Sequence, residues 1–343
     1  MLYVTTRNNR DAYTVNRALR ENRGCDGGLY VPFRLPVLAA EDIAALGEKR
    51  FSASVADMLN LLFNARFTPW DVEFCIGRYP VRLANISQKI LIAECWHNVD
   101  GTFDWLVRAL VSCLSKEESK LTCGSWAEIG ARMAVLAGIF SELIRSGMAS
   151  NEKKVDISVV SGDFSAPMSA WYAREMGLPI GNIVCTCNEN NALWDLMHHG
   201  QLRTDLMGVP TNTPDADVAL PVGLERLIHA AAGAEEVGRY LEVCRRGGMY
   251  CPDDWVLSRL RRGMHVSVVS QKRVANTIPS VFGTNSYVLS PYGALAYSGL
   301  LDYRVRTGES RPGMVLTEKS PLCDAAVTAR ALGIAEGELE RYL

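Results

Sequence analysis

The chain has 343 residues, 48% hydrophobic and 22% charged, which suits a sizeable core in one large domain or two moderate ones. Its 36 basic and 38 acidic residues leave a formal net charge of −2, without the concentrated positive charge that nucleic-acid binding needs. The start, MLYVTTRNNRDAYTV, lacks the apolar core of a secretory signal, no apolar run reaches the ~18 residues of a membrane span, and the ten cysteines follow no disulfide framework. A cytoplasmic protein with reduced thiols is expected.

The first hundred residues carry little periodicity. Ser125-Trp-Ala-Glu128 reads as a capping box, in which hydroxyl and carboxylate satisfy exposed amides at a helix start. Behind it Ile129, Met133, Leu136, Phe140 and Ile144 recur at helical spacing, predicting a helix to about Ser146, ended by Gly147. Val155–Val160 is short and β-branched, and the turn Ser161-Gly162 follows it. Ser165–Met176 predicts a helix, Asn182–Cys187 a second strand, and Ala192–His199 a second helix. Strand, helix, strand and helix in this order imply a parallel sheet, whose ligands bind where strands end and helices begin.

Further along, His265–Val269 predicts a strand, and Ser270 caps a helix over Gln271–Val281. Pro291–Ser298 and Leu322–Leu332 read as helices with the short strand Val315-Leu316 between them. Cys185-x-Cys187 lacks the two-residue spacer of a redox or zinc pair, so both are expected to be structural. Arg245-Arg246 and Arg261-Arg262 are read as solvated helix faces.

Six segments in one order resemble the threonine synthase family. Asp26-Gly-Gly-Leu-Tyr-Val-Pro32 resembles its N-terminal signature, with Tyr3–Thr6 and Val15–Arg20 where that family has its opening strand and helix. Val159–Ser165 resembles its S-G-N-F-G turn, Cys187–Asn191 its T-N-x-N-D, and His199-Gly-Gln201 the x-G-x that follows. Leu289–Ala294 resembles S-E-P-H-x-A, and Thr317–Pro321 resembles G-T-A-H-P. The resemblance implies an α/β fold: a mostly parallel sheet flanked by helices, being the family's large domain with an N-terminal extension. On that basis residues 1–90 form an N-terminal threonine-synthase-like region and residues 91–343 the large domain.

Four departures bear on chemistry. The family's cofactor lysine lies in a motif like F-H-G-P-T-x-x-F-K-D, and the matching stretch here is Trp96–Trp105, with Asp104 at the lysine position. A Schiff base needs a nucleophilic amine, and a carboxylate cannot supply one. The helix at Phe103–Leu114 meets the Ser125 helix after a loop of the Ser115–Lys120 type, too short to hold the small domain inserted there in the family. In the phosphate turn, Gly-Asn-Phe-Gly has become Gly162-Asp163-Phe164-Ser165, and an aspartate at a helix N-terminus repels a phosphate. Tyr292 and Ser320 replace the family's late histidines. No pyridoxal phosphate is therefore expected.

The resemblance maps Glu94, His97, Asp100, Asp104, Asp163, Asn188, Asn190 and Lys319 to the family's cleft. His97, Asp104 and Asp163 are candidate acid-base residues, because His titrates near neutrality and carboxylates can flank it. Ser161, Gly162, Asn188, Asn190, Arg132 and Lys319 are candidate ligand contacts, with helix capping and ion pairing as their plainer roles. His97 with Asp100 and Asp104 has no recognised ligand spacing, so no metal is expected. Of the tryptophans, which include Trp96, Trp105, Trp171, Trp194 and Trp255, Trp126 stands where the family has a polar, substrate-side position.

Two function classes follow. One is a pseudoenzyme of amino-acid metabolism that binds a protein partner or an amino-acid-like ligand. The other is an enzyme independent of pyridoxal phosphate that works on an amino-acid-derived substrate through the His97 and carboxylate cluster. Neither nucleic acid nor membrane is an expected partner, and a homodimer is implied by the resemblance alone.

Overall fold

Short β-branched runs, each ending in a turn, become the strands of one central sheet. The computed structural model describes residues 1–87, 89–114 and 124–343. It opens with β1 (Leu2–Thr5), β2 (Asn8–Thr14), α1 (Val15–Arg20) and β3 (Tyr30–Pro32). Here β1 is antiparallel to both β2 and β3. Helices α2 (Ala40–Leu46), α3 (Phe51–Phe63) and α4 (Pro69–Ile76) lead to the antiparallel pair β4 (Arg82–Ser87) and β5 (Ile90–Glu94). Next come α5 (Phe103–Leu114) and the long α6 (Trp126–Arg145), separated only by residues 115–125. The loop expected at Ser115–Lys120 lies outside the described residues.

The strand-helix alternation follows as β6 (Val155–Val160), α7 (Ser165–Glu175), β7 (Ile180–Cys187) and α8 (Ala192–His199). A two-residue ribbon of β8 (Leu202–Arg203) and β9 (Met249–Tyr250) brackets α9 (Leu224–Arg246), a helix broken at Gly233. The chain ends through α10 (Asp254–Leu260), β10 (Met264–Val268), α11 (Gln271–Asn285), α12 (Pro291–Thr307), β11 (Gly313–Thr317) and α13 (Ala325–Leu332).

The central sheet has the order β10-β7-β6-β11-β5-β4 and is parallel except for β4 at its edge. Its faces alternate along each strand. Leu91, Ala93, Ile157, Cys185, Met314 and Leu316 point into one core with α3, α6 and α7. Ile92, Val184 and Val315 point into another with α11 and α12. Burying such a residue fully contributes about 1.5–3 kcal/mol, so both faces hold the helices firmly. α6 is buried over nearly its whole length because α3 lies across it. A Cβ on Gly130 would come within 2.3 Å of the Phe63 ring, so glycine permits that crossing.

Two expectations change here. Cys75 and Cys113 form a disulfide between α4 and α5, so these thiols are not reduced: 38 residues apart in sequence, they had no local spacing to reveal the pair. The capping box at Ser125 is also different. Ser125 Oγ accepts from the Glu128 amide at 3.1 Å, but the Glu128 carboxylate takes the Gly124 amide at 2.8 Å, one residue earlier. Trp126 lies wholly in the core between Tyr3 and Tyr172, at 5.6 and 5.4 Å ring to ring. Cys185 and Cys187 are buried free thiols. No described helix is long and apolar enough to cross a membrane.

Candidate functional site

At the C-terminal ends of β5, β6 and β11 the chain leaves a cavity of about 370 Å³. This is the edge where parallel α/β sheets place their ligands, since strand ends and helix starts converge there. Three segments frame it. The loop after β5 brings Thr102 and the first turn of α5 brings Asp104, the turn after β6 brings Ser161, Gly162 and Asp163, and the end of β11 brings Glu318 and Lys319. Glu128 and Arg132 of α6 form the floor, while Asp215 and Tyr292 close the far side. Backbone pairing fixes the first and third segments together: the Phe103 amide donates to Glu318 O at 2.7 Å and the Ser320 amide to Gly101 O at 2.8 Å.

Arg132 organises this floor. Its Nη2 reaches Asp104 Oδ1 at 2.8 Å, Nη1 reaches Glu318 Oε1 at 2.7 Å, and Nε reaches Glu128 Oε1 at 3.1 Å. The guanidinium is buried, which opposes its charge, but Glu318, Glu128, Asp104 and Asp163 together more than reverse that effect and hold it protonated. Burial pushes the Glu128 and Glu318 carboxyls up, with Arg132 pulling each back down. Across the cavity Lys319 is paired with Asp215 and sits 4.8 Å over the Tyr292 ring. Burial opposes the Lys319 charge, yet Asp215 and the ring raise its pKa overall. Burial also pushes the Tyr292 hydroxyl up to about 12, so it stays neutral.

The turn at Gly162 determines what α7 offers. Phe164 takes a left-handed φ of 78° before the helix, and its amide donates to Ser161 O at 2.8 Å. Asp163 then folds over the helix start: Oδ1 accepts from the Ser165 amide at 2.9 Å and Oδ2 from the Ser165 hydroxyl at 2.6 Å. The Ser165 amide at this N-terminus is satisfied from within the chain.

The expected site residues divide cleanly. Asp104, Arg132, Ser161, Gly162, Asp163 and Lys319 all line the cavity. Asn188 and Asn190 do not. Asn188 Nδ2 donates to Thr211 Oγ1 at 2.9 Å and Asp217 Oδ1 at 2.7 Å, while Asn190 Nδ2 donates to Val209 O at 2.9 Å, so both pin the 209–217 loop. His97 is also elsewhere. Its Nε2 is 2.6 Å from Glu94 Oε2, its ring stacks on Trp96 at 4.3 Å, and Tyr287 donates to the other Glu94 oxygen at 2.6 Å. The cluster of His97 with Asp104 and Asp163 is therefore not assembled in one cavity. Missed by sequence reasoning were Glu128, Glu318 and Asp215. Glu128 had been read as a cap, and Glu318 carried a signal in its place beside Lys319.

The residues present do not fit pyridoxal phosphate. Asp104 offers no amine and is taken by Arg132. Lys319, the one lysine among the described lining residues, is held as an ammonium by Asp215. The Ser165 amide at the start of α7 is occupied by Asp163, whose carboxylate repels a phosphate at that helix end. Among the described residues, no group of three or more His, Cys, Asp or Glu is arranged to hold a metal.

Comparison with known proteins agrees with the geometry of the fold. Residues 2–78 match the family model for the threonine synthase N terminus. Threonine synthase-like 1 of Pongo abelii is 26% identical over 179 residues, covering 50% of this chain and 24% of that protein. Threonine synthase of Corynebacterium glutamicum is 30% identical over 231 residues, covering 64% of this chain and 46% of that protein. The chain thus spans less than half the length of these relatives. In three dimensions it resembles the pyridoxal-phosphate-bound threonine synthase of Brucella melitensis, with a TM-score of 0.86 at 18% identity over 97% of this chain and 92% of that one. The yeast threonine synthase gives 0.86 at 16% identity over 99% and 93%. Residues 2–78 thus carry the sequence of a threonine synthase N terminus, and the chain as a whole has the fold of threonine synthases.

Proposed function

We propose that this protein is a threonine-synthase-like pseudoenzyme that does not carry out pyridoxal phosphate chemistry and binds an amino-acid-like small molecule in the cavity beside Gly162. The ion pair of Asp104 with Arg132 carries this reading. It puts a carboxylate and a buried guanidinium where the resemblance places a nucleophilic lysine. Asp163 supports it by occupying the start of α7. The cavity is still of small-molecule size and lies at the ligand-binding edge of the sheet. A panel of amino acids in thermal melts of the purified chain tests it. A specific ligand at a hundred times its dissociation constant stabilises the fold by about 2.7 kcal/mol, and a panel that shifts nothing removes the ligand reading.

One observation favours a protein partner as well. On α4, Trp70 and Phe74 lie one turn apart and are 78% and 92% exposed. Exposed aromatics at this spacing suit an interface, and a second copy of the chain is the simplest occupant. Sedimentation of the wild type as a dimer, and of the doubly substituted Trp70→Ser, Phe74→Ser chain as a monomer, is the expected result. A monomeric wild type removes it.

A further inference from the structure

We propose that the cavity beside Gly162 selects ligands carrying net positive charge, alkyl amines or basic amino acids, and rejects phosphate-bearing ones. This rests on the reading of the cavity as a ligand site and names the class of ligand.

The described lining contains five carboxylates, Asp104, Glu128, Asp163, Asp215 and Glu318, against two cations, Arg132 and Lys319. Neither cation has a free face to offer an anion. Each of the three nitrogens of Arg132 meets a different carboxylate, and Lys319 is paired with Asp215. An entering anion with no ammonium of its own, such as phosphate, would have to displace one of these partners and would face the remaining acids at close range. Like charges brought together in a partly dehydrated space are strongly unfavourable. An ammonium meets the opposite situation. It offsets the excess negative charge and can donate charge-assisted hydrogen bonds to the lining carboxylates.

The place itself is argued without reference to charge. A concave space of about 370 Å³ opens where β5, β6 and β11 end, the position at which open parallel sheets bind their ligands. The Ser165 amide at the start of α7, which would ordinarily attract an anion there, is already bonded to Asp163. Beside the carboxylates the lining carries the apolar side chains of Val160, Ala166, Val218 and Leu316. An aliphatic stem with an ammonium at its end matches a lining that combines apolar and acidic side chains. Lysine and short alkyl diamines have that shape, and inorganic phosphate has neither feature.

Isothermal titration of the full chain tests the inference with five probes: lysine, a four-carbon diamine, threonine, inorganic phosphate and pyridoxal phosphate. The expected result is binding of lysine or the diamine, with affinity falling at least tenfold in Glu318→Gln and weakening as salt is raised. Should Glu318→Gln fail to fold by circular dichroism, Asp163→Asn carries the same expectation. Threonine binding as tightly as lysine, or phosphate binding alone, overturns the charge selectivity and leaves a ligand site standing. Amine binding that both variants retain overturns the placement in this cavity. Heat from none of the five overturns the selectivity and the ligand reading together, whereas pyridoxal phosphate binding with a yellow, retained product overturns the pseudoenzyme reading.

Discussion

Arg132 Nη2 stands 2.8 Å from Asp104 Oδ1, and the same guanidinium binds Glu128 and Glu318 on its other edges. The arrangement is a buried cation ringed by acids, one of which, Asp104, stands where the threonine synthase resemblance places a lysine. A single positive charge holds three carboxylates together, so the consequences of removing it and of removing one acid differ sharply.

Replacing Arg132 with methionine leaves three carboxylates facing one another without a counter-ion. Breaking a buried pair in this way costs about 3–5 kcal/mol. Asp104→Asn should cost less than about 1 kcal/mol, because that side chain is half exposed and Arg132 keeps two other partners. Urea unfolding of the two variants checks the contrast. Equal losses would mean that Arg132 is not the organising charge.

Glu318 gives a pH dependence with a definite sign. Burial raises its folded pKa above the unfolded carboxylate value, and Arg132 only partly offsets this. The stability linked to its proton is therefore complete below the unfolded pKa, about 4.3, and is lost as pH rises through the folded value. Measured against Glu318→Gln, the wild type should lose relative stability as pH is taken from about 4 towards neutrality. A difference that grows in favour of the wild type over that range would contradict the assignment.

Much of this fold could be read from the sequence, and the reasons are local. Val155–Val160 and Ala192–His199 were predicted with the ends that the structure gives, because β-branched content and a glycine stop are properties of short windows. Gln271–Asn285 and Pro291–Thr307 run longer than expected: tertiary packing of α11 on α12 extends helices whose later turns are weakly periodic. The cavity was legible in part. Asp104, Arg132, Ser161, Gly162, Asp163 and Lys319 were placed through the family resemblance and do share it. His97, Asn188 and Asn190 sit near it in sequence motifs, but their partners Glu94, Thr211 and Asp217 come from hydrogen bonding that no spacing encodes. The disulfide of Cys75 with Cys113 was hidden for the same reason.

Asp163 should be what keeps phosphate off α7. The double substitution Asp163→Asn, Ser165→Gly restores the G-N-F-G turn of the resemblance and frees the helix-start amide from its carboxylate. Inorganic phosphate should then raise the melting temperature of the variant and leave the wild type unchanged. A wild type stabilised as much as the variant would show that Asp163 does not block the site.

The disulfide should contribute measurably to stability. Cys75 and Cys113 are separated by 38 residues, and a link of that span constrains the unfolded chain by about 2–4 kcal/mol. Reduction, or Cys75→Ser, should lower the midpoint of urea unfolding. Thiol titration of the unfolded, unreduced protein should find two fewer reactive cysteines than the sequence contains. All ten reacting without reductant would contradict the link.

The most direct measurement of the central claim is intact mass spectrometry of the wild type after incubation with pyridoxal phosphate, borohydride reduction and desalting. The structure predicts no stoichiometric pyridoxyl adduct, because Asp104 has no amine and Lys319 is held as an ammonium by Asp215. One adduct per chain, mapped by peptide analysis to a lysine at this cavity, would show that the protein keeps the cofactor chemistry of its relatives.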